Sequence, residues 1–325
     1  MELHLYATLV PLLPFSESAT PGRIESLLHQ LAREGYVGVE IQIAQLLLIG
    51  KERFIAALTA SQLRFIGKVY SSGGPSACPH AAGFTQTHPP SGRSVESHID
   101  VWNASVRECC EPPALKDLLT SISSQSGRDY FHRNHDTESH AFFTNAVSLE
   151  KALNVRIHHE THRHRLLFSP FHAVETLEAF PNLHLLGDLS HYAVVCEAAC
   201  GDEELEEAIL KLIPAIGHIH LRVGYNEGPQ VQDPAAQSAA SQLAGHARWW
   251  AHTWFFARQR GDTKIVTATP EFLLPPYARD GDDITASNKF IAQYARGLFL
   301  ASETKEEIEE YIISTTNTTT SLNYQ

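Results

Sequence analysis

The sequence predicts an α/β fold, a single-domain (β/α)8 TIM barrel. Eight short β-rich runs alternate with amphipathic helical stretches along the chain, which is the pattern of βα units in a parallel sheet. The chain has 325 residues, and one such barrel needs about 250. No stretch of linker composition interrupts the alternation. One barrel is therefore favoured over two separate doubly wound sheets.

The predicted strands are short runs that favour extended backbone and are bounded by polar or turn-forming residues. The first run, ELHLYATL, is interpreted as a barrel strand because Glu2 stands where a secretion signal carries positive charge. The eight runs span residues 2–9, 37–43, 64–70, 118–124, 155–161, 183–189, 217–223 and 263–270.

The intervals between these runs are predicted to be helical. In the first interval, Ile24, Leu27, Leu28 and Leu31 recur on one face at the helical period, and Gly35 closes the helix. The eight predicted helices lie near residues 22–34, 52–62, 94–110, 137–153, 170–180, 202–214, 238–260 and 286–303.

Four connections that follow predicted strands are long and would emerge at the catalytic end of a barrel. They cover residues 71–93, 125–136, 224–237 and 272–285. Loops longer than about 12–15 residues usually serve as lids or binding loops, or are disordered. The catalytic domain is predicted to span residues 1–314, and TTNTTTSLNYQ, residues 315–325, is predicted to be a disordered tail.

Composition excludes several classes of partner. The net charge of −12 argues against nucleic acids and anionic membranes, because phosphate groups are bound by excess Lys and Arg. No apolar run reaches the length of about 20 residues that a membrane span needs. The five cysteines form no disulfide framework, which favours a reducing, cytoplasmic location.

Four motifs near the ends of the last four strands carry most of the functional information. They are HHETHR at 158–163, GDLSH at 187–191, HIHLR at 218–222 and TPEF at 269–272. Each places a metal-ligand side chain at a strand's C-terminal end, and a parallel barrel brings these ends together. Glu160, Asp188, His220 and Glu271 are therefore predicted to bind a divalent metal ion, Mn, Mg, Co, Fe or Zn.

This ligand set predicts proton-transfer chemistry. A cation held by these side chains can chelate two neighbouring oxygens of a hydroxy-carbonyl compound and acidify the intervening C–H bond. Glu160 and Glu271 would lie across the barrel mouth from each other. They are predicted to act as catalytic base and acid on opposite faces of the reacting carbon.

Four further residues are predicted to bind the substrate. Arg163 and Arg222 each lie next to a predicted ligand motif and could hold an anionic or hydroxyl-rich substrate. An ordinary salt bridge at the barrel rim is the alternative for both. His191 could contact the metal or the substrate, or could orient Asp188. Lys68, on the third strand, is a further candidate for the pocket.

At these residues the chain resembles the xylose isomerase-like TIM-barrel superfamily. That superfamily binds its metal through a Glu, an Asp, a His and a Glu from the last four strands, in the order found here. The strings HETHRHR (159–165), RVGYNEGPQVQDP (222–234) and TPEFLLPPY (269–277) resemble its sugar phosphate isomerase/epimerase branch. The resemblance implies that both glutamates are metal ligands as well as acid–base groups, as in ketose 3-epimerases.

The chain departs from the superfamily at several positions. The resemblance implies a small residue where His164 stands and a glycine near Leu273. The endonuclease IV members need additional histidines on earlier strands, roughly where Lys68 and Gln125 stand here. The chain therefore lacks the residues that an endonuclease assignment requires, and the acidic net charge argues against that assignment as well.

The expected function is a divalent-metal isomerase or epimerase that acts on a small sugar-like or hydroxy-carbonyl metabolite. A metal-dependent lyase, dehydratase or hydrolase, and a non-catalytic binding barrel, stay open, because one scaffold supports many reactions. An aromatic cluster around Trp249, Trp250 and Trp254 is expected to pack on the barrel wall. A subunit interface in a homo-oligomer is the alternative for that cluster.

Overall fold

The computed structural model describes residues 1–71, 94–133, 136–198, 200–261 and 264–316. Eight parallel strands in these ranges close into a barrel, each paired with its neighbour in the chain and the last paired with the first. The predicted (β/α)8 barrel is confirmed. The strands are β1 (Glu2–Thr8), β2 (Gly38–Gln42), β3 (Arg64–Tyr70), β4 (Leu119–Gln125), β5 (Ile157–Glu160), β6 (His184–Gly187), β7 (Ile216–Leu221) and β8 (Ile265–Pro270).

Helices cover the outside of the barrel between successive strands. The eight predicted helices are present as α1, α3, α4, α6, α7, α9, α10 and α11. In chain order the helices are α1 (Arg23–Arg33), α2 (Ile43–Ile49), α3 (Lys51–Ser61), α4 (Val95–Cys110), α5 (Pro113–Leu118), α6 (Thr137–Leu153), α7 (Pro170–Ala179), α8 (Ser190–Val195), α9 (Glu203–Leu212), α10 (Ala240–Arg260), α11 (Ile284–Leu300) and α12 (Lys305–Thr316).

Four helices are additional to the predicted set: α2, α5, α8 and α12. The α2 sequence, IAQLLLI, directly follows β2. Periodicity alone does not show whether such a short apolar run forms a strand or a helix. In α12, Ile308, Ile312 and Thr316 are buried at every fourth position. The last turn of α12 therefore includes residues 315 and 316 of the predicted tail, and residues 317–325 lie outside the described ranges.

The interior of the barrel is polar toward the C-terminal ends of the strands. Glu40, Lys68 and Ser123 lie on neighbouring strands and are buried. The Ser123 hydroxyl donates to Glu40 Oε1 at 2.9 Å, and Lys68 Nζ is 3.8 Å from the same oxygen. Residues Val39 and Ile41 alternate with Glu40 and belong to the apolar core, which lies between the strands and the helices.

The long loops after β7 and β8 are joined at the mouth of the barrel. Gln230 Nε2 donates to the carbonyl oxygen of Leu273 at 3.1 Å, and Gln230 Oε1 accepts from the Leu273 amide at 2.8 Å. Leu273, near which the family resemblance implies a glycine, is buried. From residue 72 onward, the predicted loop 71–93 lies outside the described residues.

The aromatic residues of α10 pack within the chain. Trp249, Trp250 and Trp254 are fully buried, whereas Phe256 keeps 37% of its surface exposed. The three tryptophans are therefore buried within the chain, where Trp249 contacts Glu206 of α9 and Trp254 contacts Phe299 of α11, and a homo-oligomer stays a prediction. None of the helices in the described part of the chain is long and apolar enough to cross a membrane.

Candidate metal centre and active site

The structure brings together the four side chains that were predicted as metal ligands. Glu160 ends β5, His220 lies in β7, and Asp188 and Glu271 directly follow β6 and β8. One ligand atom from each of these four residues lies within 4.8 Å of the others. All four side chains are buried, so they meet inside the barrel mouth rather than on its rim.

His220 is at the centre of this cluster. Its Nδ1 atom is 2.9 Å from Glu271 Oε2, 3.5 Å from Glu160 Oε1 and 3.8 Å from Asp188 Oδ2. Nevertheless Nδ1, both Glu160 oxygens and Glu271 Oε2 have no hydrogen-bond partner. Buried polar atoms are normally paired, and a shared cation would satisfy all of them. The donor set therefore fits a divalent metal ion.

The charges of the surrounding side chains agree with this fit. Glu40, Glu160, Asp188 and Glu271 carry four negative charges. Among the described residues, the Lys and Arg side chains that form salt bridges with these four carboxylates are those of Lys68 and Arg222. Buried charges are tolerated when they are compensated. With neutral His220, a divalent cation would bring the set to neutrality.

Glu40 fixes the orientation of His220 and was not predicted as a site residue. Its carboxylate is 3.0 Å and 3.2 Å from His220 Nε2, which donates to it. A carboxylate on one imidazole nitrogen sets the tautomer and leaves the other nitrogen for a metal. The signal in the sequence was Glu40 itself, a charged residue inside the apolar strand VGVEIQI. A charged residue is rarely buried without a partner.

Lys68 was predicted to bind the substrate, and in the structure it contacts three carboxylates. Its Nζ donates to Glu271 Oε1 at 2.6 Å and lies 3.6 Å from Glu160 Oε2. Burial alone would lower the pKa of Lys68, but Glu160 and Glu271 outweigh it and raise that pKa well above its ordinary value. Lys68 is therefore a fixed positive charge between the two predicted acid–base groups.

Arg222 holds Asp188 in place. Its Nη2 donates to Asp188 Oδ2 and also to His191 Nε2, the latter at 2.9 Å. The hydroxyl of Ser190 donates to the other Asp188 oxygen at 2.5 Å. Burial opposes ionisation of Asp188, but Arg222 outweighs it and keeps the pKa of Asp188 well below its usual range. Asp188 is therefore an ionised, preoriented ligand.

His191 and Arg163, also predicted to bind the substrate, are placed differently. Burial lowers the pKa of His191 well below its ordinary value, so the ring is neutral and its Nδ1 has no hydrogen-bond partner. That atom is free to contact a bound molecule. Arg163 is only partly buried, and its Cζ is 5.7 Å from the centre of the Tyr277 ring. Arg222 Cζ is 4.8 Å from the same ring, so Arg163 lies toward the rim.

Glu160 is ionised in spite of its burial. Desolvation raises the pKa of Glu160, but Lys68 and then His220 lower it, and the pKa is brought to about 2. An ionised carboxylate can accept either a cation or a proton. Both functions predicted for Glu160 are therefore compatible with its surroundings.

Replacing Glu40 by glutamine is expected to weaken metal binding about 10- to 100-fold, the usual cost of losing an outer partner of a ligating histidine. The change retains the size of the side chain but removes the charge that sets the His220 tautomer. Competition with a fluorescent chelator would measure the affinity. Glu108→Gln, which makes the same change of charge at a half-exposed position in α4, is the control for altered net charge. Equal affinities in wild type and Glu40→Gln would contradict the positioning role of Glu40.

No family model matches the sequence, and no curated protein matches it. Solved structures match its fold. L-ribulose 3-epimerase is 14% identical, with a TM-score of 0.56 over 96% of this chain and 98% of that one. The probable 3-DHS dehydratase AsbF, involved in petrobactin synthesis in Bacillus anthracis, is 15% identical, with a TM-score of 0.54 over 90% and 99%.

A xylose isomerase domain protein from Alicyclobacillus acidocaldarius is 13% identical, with a TM-score of 0.54 over 93% of this chain and all of that one. These matches cover nearly the whole length of both chains, although sequence identity is low. They concern the arrangement of strands and helices, and the reaction is a separate question. The comparisons therefore show the fold: the chain is a (β/α)8 TIM barrel built like those of these solved structures.

Proposed function

We propose that this chain is a divalent-metal-dependent isomerase or epimerase of a small sugar-like or hydroxy-carbonyl metabolite. One observation carries the proposal: Glu160 and Glu271 are buried, and each presents a carboxylate oxygen within 3.5 Å of His220 Nδ1. Several proteins with this fold are sugar epimerases, among them L-ribulose 3-epimerase. The activities of those proteins support this choice of reaction.

The proposed metal ligands are Glu160, Asp188, His220 and Glu271, and the ion is Mn, Mg, Co, Fe or Zn. Such a cation, when bound, lowers the pKa of a C–H bond beside a carbonyl group. The chain's own groups then move the proton. Glu160 is ionised and can take the proton from one face of the carbon.

Glu271 would return a proton to the other face, as an acid–base partner of Glu160. Its Oε1 is held by Lys68 at 2.6 Å, which leaves Oε2 for the transfer. His191 Nδ1 is an unpaired buried atom that can hold a substrate oxygen. Arg222 donates hydrogen bonds to Asp188 and His191, so its proposed role is to hold these two side chains in position.

The proposed location is cytoplasmic. The four cysteines within the described ranges, Cys109, Cys110, Cys196 and Cys200, are all free thiols. Free thiols are usual in reducing compartments. The proposed partner is a small-molecule substrate, because the residues that converge on His220 form a buried cluster rather than an extended surface.

The proposal is tested by elemental analysis of the purified protein, followed by proton exchange. We expect one equivalent of a divalent metal, and exchange of substrate C–H for solvent deuterium in a panel that includes D-fructose and D-tagatose. Exchange together with formation of a new sugar supports an epimerase or isomerase. Loss of water from a hydroxy-ketone would identify a dehydratase instead. A protein that binds no metal after reconstitution would overturn the proposal.

Metal binding is expected to release about one proton per ion near neutral pH. Burial lowers the pKa of His220, but Glu271 and Glu40 outweigh it and raise that pKa well above its ordinary value. The metal-free ring is thus protonated at Nδ1, which the ion would occupy. Affinity should rise about tenfold per pH unit until the pKa of His220 is reached. Calorimetry in two buffers of different ionisation enthalpy measures the release of protons. The same heat of metal binding in both buffers would contradict the prediction.

A further inference from the structure

Two buried arginines lie beside the carboxylate cluster, on the side formed by β3, β4 and β5. Arg128 follows β4 and keeps 3% of its surface exposed, and Arg165 follows β5 and keeps 1%. Arginine is almost never fully buried unless it is paired. For Arg128 the described residues offer no salt bridge, and its Nη1 atom has no hydrogen-bond partner.

Backbone contacts hold the three strand ends together at this place. The Leu166 amide donates to the Ser126 carbonyl at 3.0 Å, and the Ser71 amide donates to the Gln125 carbonyl at 3.2 Å. Arg165 Cζ is 5.9 Å from the centre of the Tyr70 ring. The two guanidinium groups and the Tyr70 ring are therefore carried by a connected framework rather than by independent loops.

Hydrogen-bonding atoms in this region are left without partners. The Tyr70 hydroxyl and His98 Nε2 are buried and unpaired, and His98 Nδ1 lies 3.2 Å from the Ser71 hydroxyl. Burial, and then Arg128 and Arg165, lower the pKa of His98 to about 4. The Tyr70 hydroxyl, His98 Nε2 and Arg128 Nη1 are therefore three buried polar atoms that no described residue satisfies.

Like charges have been buried together here. Burial, and then the charge of Arg128, lower the pKa of Arg165 to about 10, and burial also lowers the pKa of Arg128. Two like charges at close range cost stability. The unpaired Arg128 Nη1, Tyr70 hydroxyl and His98 Nε2 lie beside these charges, and buried groups left unpaired in this way point to a ligand.

We propose that Arg128, Arg165 and the Tyr70 hydroxyl bind a carboxylate or phosphate group of the substrate. This inference rests on the proposed function and narrows it: the substrate is an anionic hydroxy-carbonyl compound rather than a neutral sugar. Arginine binds both anions through paired, charge-assisted hydrogen bonds.

The distance to the proposed acid–base groups suits a small molecule. Lys68 and Tyr70 are two residues apart on β3, so their side chains share the inner face and are separated by about 7 Å along the strand. Lys68 contacts Glu271 and Glu160. A spacing of about 7 Å corresponds to about five or six bonds of an extended carbon chain. An anionic group near Tyr70 and a carbon placed between the two glutamates therefore fit within one small molecule.

The test is calorimetric titration of metal-free protein with inorganic phosphate and, separately, with succinate, at constant ionic strength set by sodium chloride. We expect wild type to bind at least one of the two anions. Arg128→Gln should weaken that binding about 10- to 100-fold, the loss expected for charge-assisted hydrogen bonds. The preferred anion distinguishes a phosphate ester from a carboxylate substrate.

The control variant is Arg156→Gln, which makes the same charge change at the opposite end of β5, where the Arg156 side chain is about half exposed. It should bind the anions as wild type does. Failure of wild type to bind either anion, or equal losses in both variants, would overturn the anion site. Arg128→Gln removes an uncompensated charge, so a melting temperature equal to or above that of wild type is expected and confirms folding.

The anion site and the proposed function can fail separately. Glu160→Gln should lose metal while still binding the anion, whereas Arg128→Gln should retain its metal. Anion binding in a protein that takes no metal would leave this site standing and remove the proposed reaction. Normal metal binding without anion binding would remove the anion site but keep the proposed function, with a neutral substrate.

Discussion

Glu160→Gln and Glu271→Gln are each expected to lower the rate of substrate proton exchange by at least about 10²- to 10⁴-fold, the range for loss of a general acid or base. Each glutamine keeps the shape of the side chain but can neither take up the proton nor neutralise a cation. The first-order rate of deuterium incorporation at saturating metal measures the effect. Metal affinity should fall in parallel, since both residues are proposed ligands.

Glu150→Gln is the matched control. Glu150 lies in α6 and its Oε1 accepts from the Ile157 amide at 3.4 Å, at the N-terminal end of the strand that ends in Glu160. The same change of charge there should leave exchange within a factor of about two, because Glu150 lies at the opposite end of β5 from the carboxylate cluster. Exchange retained within tenfold of wild type in either site variant would remove that residue from the proton-transfer role.

The strands and the four converging side chains could be predicted from the sequence because both depend on short-range pattern. Alternation of β-rich and helical segments defines the barrel, and a barrel gathers strand ends at one face whatever the helices contain. Glu160 and Asp188 follow from this rule with no knowledge of their partners. The predicted ends of the eight strands differ from the observed ones by at most two residues.

The partners of those side chains could not be predicted in the same way. Glu40 and His220 are separated by 180 positions, and Lys68 and Glu271 by 203. Their pairing depends on which interior layer each strand presents, and a shift of one residue would turn either side chain outward. The sequence made Lys68 a candidate for substrate binding, and its contacts with three carboxylates depend on residues far away in the chain.

The buried Arg128 shows the same limit more strongly. A single arginine after a strand has no local signature that separates a rim salt bridge from a buried anion-binding group. The distinction lies in what surrounds it, and here the structure shows an unpaired guanidinium nitrogen beside Arg165. The sequence directed attention to Arg163 and Arg222 instead, because they adjoin the ligand motifs.

Lys68→Met is expected to destabilise the metal-free protein by about 3–5 kcal/mol, the cost of breaking a buried ion pair on one side only. Glu40, Glu160 and Glu271 would then face one another without the ammonium group that now contacts all three. Urea unfolding at neutral pH measures the loss. A saturating divalent metal should restore most of it, since the ion replaces the missing positive charge.

The pH dependence of this loss has a definite sign. Lys68 helps to depress the folded-state pKa of Glu160 to about 2, below the value of about 4.3 for an unfolded chain. A depressed carboxyl pKa stabilises the fold above the unfolded value, and this stabilisation is lost as the pH falls through the folded value. The difference between wild type and Lys68→Met should therefore be full at pH 7 and shrink between about pH 4 and pH 2.

Lys51→Met provides the comparison, because Lys51 Nζ makes an equally short 2.6 Å contact with Glu108, at a site where the Glu108 side chain is 45% exposed. That pair should contribute about 0–1 kcal/mol, as partly solvated pairs do, and metal should not change its effect. If Lys68→Met and Lys51→Met were equally mild in the absence of metal, the carboxylate cluster would not be a set of buried charges in need of a cation. The proposed metal centre would then lose its electrostatic basis.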